Sequence, residues 1–238
     1  KKSQPKYGLC EVQLLDQRLP LKRMEKYLQN KHLIDVVALT VSKQRDKTFL
    51  PITIPISKGL MGYRLFMIRK GDTEKFANIS NLSDWSKFLA GQGIGWADVE
   101  ILEHNKLPVV TGGSVKTLID MLAYDRFDYF PRAVTEIQKE KAQYPEFSIE
   151  NNLMLHYLSP IYFFVNKQNL QLAQRIETGL LRAIDNGHFD KLFRTANNIE
   201  YLRSQLKLDD RRVFKLPNSA VSDKTKALQS EKKFWLYH

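Results

Sequence analysis

Apolar and polar positions follow two rhythms along this chain, one of period two and one of period 3.6, and the two take turns. Tyr7 to Leu15 predicts a strand. Leu21, Met24, Tyr27 and Leu28 then share one face of a predicted helix over 21–30, and Leu33 to Thr40 predicts a buried strand. Tyr63 to Arg69 predicts another strand, ended by Lys70-Gly71-Asp72, and Ser83 is a candidate N-cap for a short helix reaching Leu89. Gly91 to Gly95 predicts a glycine-rich turn into a helix over 97–105, followed by a strand over 107–110. Thr111-Gly112-Gly113-Ser114 leads into a helix over 115–124 and a strand over 127–130. The apolar run 160–165 predicts a strand closed by Asn166-Lys167-Gln168-Asn169. Leu172, Ile176, Leu180 and Ile184, four apart, define a long helix that Asn186-Gly187 stops before a short helix over 189–194. Strands and helices in alternation predict an α/β fold of mostly parallel sheets covered by helices.

Composition narrows the class. With 238 residues, 43% hydrophobic and 26% charged, the chain can bury one or two ordinary cores and is too apolar for disorder. Its one cysteine, Cys10, permits no internal disulfide. No apolar run approaches the roughly 20 residues of a membrane span, and Lys1-Lys2-Ser3-Gln4-Pro5 lacks the apolar core of a signal peptide. The chain is therefore expected to be cytosolic or the mature form of an exported protein. The formal charge of +11 raises the question of nucleic acid or anionic lipid. Its excess lies at the ends: residues 1–31 hold eight bases and three acids, residues 202–238 nine and four, and the rest 20 and 19. Pairs such as Lys1-Lys2, Arg211-Arg212 and Lys232-Lys233 read as solvated surface, and no nucleic-acid partner is expected.

Among side chains that carry chemistry, His32, His104, His156, His188 and His238 lack the spacing of a helical metal site, so no metal and no cofactor is expected. There is no G-x-S-x-G elbow and no P-loop. Gly91-Gln92-Gly93-Ile94-Gly95-Trp96 has the wrong glycine spacing for a dinucleotide fingerprint, and Trp96 stands where a ligand's phosphates would need room. It does offer backbone N–H groups at a helix N-terminus, a setting that favours a carboxylate. Arg45 and Arg132 each follow an apolar strand, and a guanidinium there can grip a carboxylate bidentately.

The order of these motifs resembles the family 3 extracellular solute-binding proteins of amino-acid ABC transporters. The carriers are Ile34-Asp35-Val36-Val37 with Thr40-Val41-Ser42-Lys43-Gln44-Arg45, the strand Tyr63-Arg64-Leu65-Phe66-Met67-Ile68, and the glycine turn into a helix. Leu122-Ala123-Tyr124-Asp125-Arg126-Phe127-Asp128-Tyr129 and the return strand Tyr162 to Asn166 complete them. The resemblance implies a two-lobed, type 2 periplasmic-binding-protein-like α/β fold with two crossover strands. Lobe 1 would take residues 1–65 and 163–238, and lobe 2 residues 66–162. It implies a small-molecule ligand, with Arg45 on its carboxylate, Thr40 beside it, and the backbone at Gly95 and Trp96 on the same anion from the other lobe; Tyr63 and Arg132 are further candidate ligand-binding residues, Arg132 reaching the ligand from the lobe opposite Arg45. It also implies a periplasmic location with the signal peptide removed, a monomer, no catalysis, and an ABC permease or membrane receptor as partner.

Two departures from the family pattern shape the expectation. The family's lobe 2 offers an aspartate to the ligand's ammonium about five residues past the position of Asp128; here that residue is Ala133, with Arg132 next to it. An anionic solute, amino acid or organic acid, is therefore expected. The family's opening strand and helix, about thirty residues, also find no counterpart before Tyr7, so lobe 1 is expected to be cut short or built differently. An enzyme on the same fold, dehydratase-like, is the rival reading and would need an acid or base such as Glu136 or Asp98. The aromatic tail Phe234-Trp235-Leu236-Tyr237 is expected to pack on lobe 1.

Overall fold

The computed structural model describes residues 2–17 and 19–236. Lys1, Tyr237 and His238, which enter the expectations above, lie outside the described residues. In chain order the elements are α1 (Gln4–Tyr7), α2 (Leu21–Gln29), β1 (Val36–Thr40), α3 (Lys43–Thr48), β2 (Phe49–Ile52), β3 (Tyr63–Arg69), α4 (Thr73–Phe76), α5 (Leu82–Trp85), β4 (Ala90–Gly93), α6 (Ala97–His104), β5 (Val109–Gly112) and α7 (Val115–Ala123). There follow β6 (Phe130–Ala133), α8 (Ile137–Gln143), β7 (Phe147–Ile149), β8 (Leu153–His156), β9 (Ile161–Asn166), α9 (Leu170–Asp185), α10 (His188–Asn197), α11 (Ile199–Leu206), β10 (Arg212–Lys215) and α12 (Asp223–Ala227).

The chain groups into two compact units. The first takes residues up to Gly59, Pro160–Ala196 and those from Val221 on; the second takes Leu60–Ser159 and Asn197–Ala220. Residues 60–65, with Tyr63 among them, and 197–220 thus depart from the expected division, which placed them with lobe 1, and residues 160–162 depart from it in the other direction. Contacts explain the place of 197–220. β10 pairs in parallel with β8, Phe214 meets Trp85 edge to face, and the buried Arg211 donates to the carbonyls of Leu206, Glu150 and Leu153.

In the first unit β9 lies between β1 and β2 and runs antiparallel to both, with Ala38 opposite Phe163 and Pro51 opposite Phe164. Alternate residues of β9, Tyr162 and Phe164, are fully buried with Phe49 and Leu39, each ring contributing about 2–3 kcal/mol by leaving water. The expected strand at Tyr7 to Leu15 does not form. Tyr7 ends α1, and Leu9, Val12 and Leu14 are largely exposed in a segment without regular secondary structure. No neighbouring strand offers its backbone to that segment, and period-two patterning without a partner does not make a strand. Arg175 on α9 instead takes the carbonyls of Tyr7 and Gly8.

The tail packs within this unit, as expected for its described residues. Trp235 covers Gly59, where an added Cβ would come within 2.9 Å of the indole, and its Nε1 donates to Leu228 O. The Leu236 N–H donates to Lys58 O, and the Lys58 ammonium reaches Asp190 and Lys233 O. Lys58 has positive φ, which costs a residue with a side chain, while Gly59 takes its positive φ freely, and the tail packs on this turn.

In the second unit β3 is central. It pairs antiparallel with β6, β7 and β8, while β4 and β5 pair in parallel and an isolated bridge links Ala90 of β4 to Tyr129, the residue before β6. Alternation along β3 sends Phe66 and Ile68 to a core with Trp85, Leu102 and Tyr129, and Met67 to another with Leu118, Phe127 and Phe130. Among the described residues five ladders are antiparallel and two parallel, which corrects the expectation of mostly parallel sheets. The reason is connectivity: β9 returns from the second unit to run against both its neighbours, and β3 does the same among β6, β7 and β8.

Local chemistry corrects three further expectations. Asn81, not Ser83, caps α5, its side chain accepting from Asp84 N–H. Gly91 and Gly93 are strand residues of β4, glycine because the Phe127 and Trp96 rings fill the space of a Cβ; only Gly95, at φ +76°, makes the turn. The strand expected at 127–130 begins at Phe130.

Candidate functional site

The first unit places its candidate groups at the end of β1. The Ser42 hydroxyl accepts the Arg45 N–H at 3.2 Å and caps α3, which fixes where the Arg45 side chain starts. Arg45 then turns back, giving Nη1 to Thr40 O at 2.6 Å and Nε to Glu25 on α2 at 2.8 Å. Thr40 and Arg45 are thus brought together. Among the described residues Nη2 takes no hydrogen-bond partner. On the next position of α3, burial raises the proton affinity of Asp46, against the Ser222 hydroxyl and Lys224, and Asp46 Oδ1 lacks a hydrogen-bond partner.

The second unit holds a larger charged cluster, built around the start of β3 and the end of β6. Arg132 pairs across the ladder with Leu65, not Arg64, so the two arginines leave opposite faces of the sheet. Arg132 stacks on Trp96, with its guanidinium carbon 4.9 Å from the ring centre, and on Phe130 at 5.0 Å. Its Nε and Nη2 meet Glu140 at 2.6 Å each, and Nη2 lies 3.2 Å from Glu136. Arg64 meets Asp98 at 2.9 Å and faces the Tyr157 ring, and the Tyr157 hydroxyl donates to Asp98. Burial alone would weaken the Arg64 cation, yet Asp98, Tyr157 and Glu136 raise its proton affinity. Burial also pushes the Tyr157 hydroxyl well above the ordinary phenol range. Arg64 Nε is buried without a partner.

Glu136 closes the cluster where β6 ends: its Oε2 accepts from Ala133 N–H at 3.3 Å and lies 3.9 Å from Arg64 Nη1. Trp96 is the N-cap residue of α6, and its N–H donates to Gly93 O across the turn that contains Gly95. Tyr63 stacks on His156 at 4.2 Å and its carbonyl accepts from Val134 N–H, beside Ala133. Gly95, Trp96, Arg132 and Tyr63 therefore belong to one unit, and Trp96 and Arg132 touch. Sequence reasoning missed Glu25, Glu140, Arg64 and Tyr157 as partners of these groups. For Arg132 the signal was present, since Glu136 and Glu140 follow it at intervals of four. Among the described residues no group of His, Cys, Asp and Glu could hold a metal ion, and no helix is long and apolar enough to cross a membrane.

No protein-family model matches the sequence, and no curated protein does. The structure is similar to an ancestral arginine-binding protein bound to arginine, at 19% identity and a TM-score of 0.57 over 82% of this chain and 84% of that one. A second similar structure is an amino-acid ABC transporter substrate-binding protein from Streptococcus pneumoniae bound to L-arginine, at 13% identity and a TM-score of 0.60 over 83% and 80%. A third is the substrate-binding protein of an amino-acid ABC transporter, at 20% identity and a TM-score of 0.53 over 82% and 83%. The chain has the fold of the amino-acid ABC transporter substrate-binding proteins, the two-lobed periplasmic-binding fold that its sequence motifs resemble.

Proposed function

We propose that this protein is an extracytoplasmic solute-binding protein that captures a small, carboxylate-bearing solute of amino-acid type for an ABC permease or a membrane receptor. The observation that carries this reading is the shared fold over four-fifths of the chain, with proteins described as arginine-binding or amino-acid-transporting. Arg45 supports it, since it is held by Glu25 and Thr40 and keeps Nη2 for a carboxylate oxygen. The backbone N–H at Gly95 is a candidate for the same kind of group, whereas that of Trp96 already donates to Gly93 O. A solute with a second acidic group drawn to Arg132 has less support, because Glu140 and Glu136 already meet that guanidinium's charge.

The test is a thermal-shift screen against amino acids, dicarboxylates, other organic acids and nucleic acid, followed by calorimetry. A ligand at 100 times its Kd stabilises by about 2.7 kcal/mol. One amino-acid-type solute is expected to raise the melting temperature of the wild type and to fail with Arg45→Ala. A shift by nucleic acid alone, falling steeply with salt, would overturn the reading. The dehydratase-like reading needs turnover of a hit that is lost on Glu136→Gln, and the geometry does not favour Asp98 for it. That carboxylate is buried between Arg64 and Tyr157.

A further inference from the structure

The formal charge of +11 belongs wholly to one unit. The first unit, residues 1–59, 160–196 and 221–238, holds 21 Lys and Arg against ten Asp and Glu, whereas the second holds 16 of each. In the second unit cations and carboxylates match in number. The first carries a surplus that only water and outside anions can meet.

Part of that surplus is gathered at one place. A cavity of about 260 Å³ in the first unit is lined by Lys31 and its two predecessors at the end of α2, by Thr48 at the end of α3, and by residues 166–168 where β9 gives way to α9. The Lys31 ammonium donates to Gln168 Oε1 and the Lys167 ammonium to Lys47 O, each at 2.8 Å. These acceptors are neutral, so they fix two ammonium groups without cancelling their charge. Among the described residues neither lysine meets a carboxylate, and no acid lines the cavity. The Asn166 amide covers Leu28 O and Gln29 O, at 3.1 and 2.8 Å, the carbonyls at the negative end of α2 that would repel an anion. Two fixed cations among amides suit a phosphate group.

The chain beside this cavity is apolar and exposed. Leu33, two residues past Lys31, is 65% exposed, and Leu170, two past Gln168, is 60% exposed. A free phosphate gains nothing from them, whereas the acyl boundary beneath a lipid headgroup does. Lysines with apolar neighbours are the combination that holds a protein to an anionic bilayer.

We propose that this part of the first unit docks on a membrane surface bearing anionic phospholipid, with a headgroup phosphate between Lys31 and Lys167 and with Leu33 and Leu170 at the acyl boundary. The proposal stands apart from the solute-binding reading, since it uses none of the residues of the candidate site.

The experiment is cosedimentation of the full chain with vesicles of phosphatidylglycerol and phosphatidylcholine in equal parts, with pure phosphatidylcholine vesicles alongside. The wild type is expected to bind the mixed vesicles at low salt, to leave them as salt is raised, and to ignore pure phosphatidylcholine. The double variant Lys31→Gln/Lys167→Gln should bind about thirtyfold more weakly, the product of about fivefold for each lysine. Lys191→Gln/Lys224→Gln makes the same change of charge on α10 and α12 and should cost no more than about threefold, through the general field. Leu33→Asn and Leu170→Asn should each weaken binding, by a factor that salt does not change. A thermal melt of each variant establishes that it is folded. Equal losses in the two lysine pairs would reduce the effect to net charge and overturn the site. Displacement from the vesicles by inorganic phosphate at constant ionic strength would assign the cavity to the free anion and overturn the membrane claim, as would binding of nucleic acid without binding of vesicles. Equal binding to pure phosphatidylcholine, or none to either vesicle, overturns the proposal outright and leaves solute binding untouched.

Discussion

Arg45 in the first unit and Arg132 in the second follow apolar strands in the sequence, yet they end in opposite electrostatic states. Arg45 meets one carboxylate, Glu25, and a carbonyl, and keeps a nitrogen over. Arg132 meets two carboxylates, and its planar fork is filled by Glu140. What an arginine offers to an anion is set by the acids within about 4 Å, because the Coulomb energy of each such contact is comparable with that of the ligand. The first unit thus leaves one guanidinium nitrogen open, and the second closes its fork.

The strongest attack on this comparison removes the arginine at the centre of the second unit's cluster. Arg64→Met leaves Asp98 buried without its cation and is expected to cost about 3–5 kcal/mol, read as faster hydrogen exchange in β3 and β8 under mild urea. A loss below about 1 kcal/mol would mean that the cluster does not hold the unit together. A finer contrast sets Arg132→Met beside Arg45→Met. The first strands Glu140 and is expected to cost about 2–3 kcal/mol, the second about 1 kcal/mol, because Glu25 keeps the Lys22 ammonium at 3.9 Å. Equal losses in the two melts would erase the distinction between the units.

The smallest effect sharpens the comparison by sign. Burial, aided by Lys215, lowers the His156 pKa to about 4, so in the second unit its imidazole stays neutral while the unfolded chain takes a proton near pH 6.5. Stability is full above that pH and is lost as pH falls toward 4, by on the order of 2 kcal/mol. Asp46 in the first unit behaves oppositely: burial raises its pKa, so its protonated form favours the fold, and stability falls as pH rises through the raised value. His156→Gln should flatten the acid limb of the second unit's hydrogen-exchange profile. Asp46→Asn should stabilise the first unit at neutral pH; reversed signs would show that these groups do not set the response.

Most elements were legible because their own residues suffice to specify them. The face of α7 and its Ser114 cap, the four-residue spacing through α9, and the β-branched and aromatic run of β9 all depend on local chemistry. What was not legible depended on partners. The alternation of Tyr7 to Leu15 specifies a face but cannot supply a neighbouring strand. The glycines at 91 and 93 look like a turn until the rings of Phe127 and Trp96 are placed against them. In the site, Arg132 with Glu136 and Glu140 was readable from spacing, whereas Glu25 reaches Arg45 from another helix and Asp98 reaches Arg64 from another element.

The contact between the tail and the Lys58 turn has a consequence in time. Lys58 and Lys233, joined through the lysine ammonium, are 175 positions apart. A ribosome adding about 5–20 residues per second needs roughly 10–35 s to cover that interval. The second unit, whose residues all fall between 60 and 220, can be complete before then. The first unit emerges first yet finishes last, and until Trp235 arrives Lys58 holds its positive-φ conformation with no ring over the neighbouring Gly59.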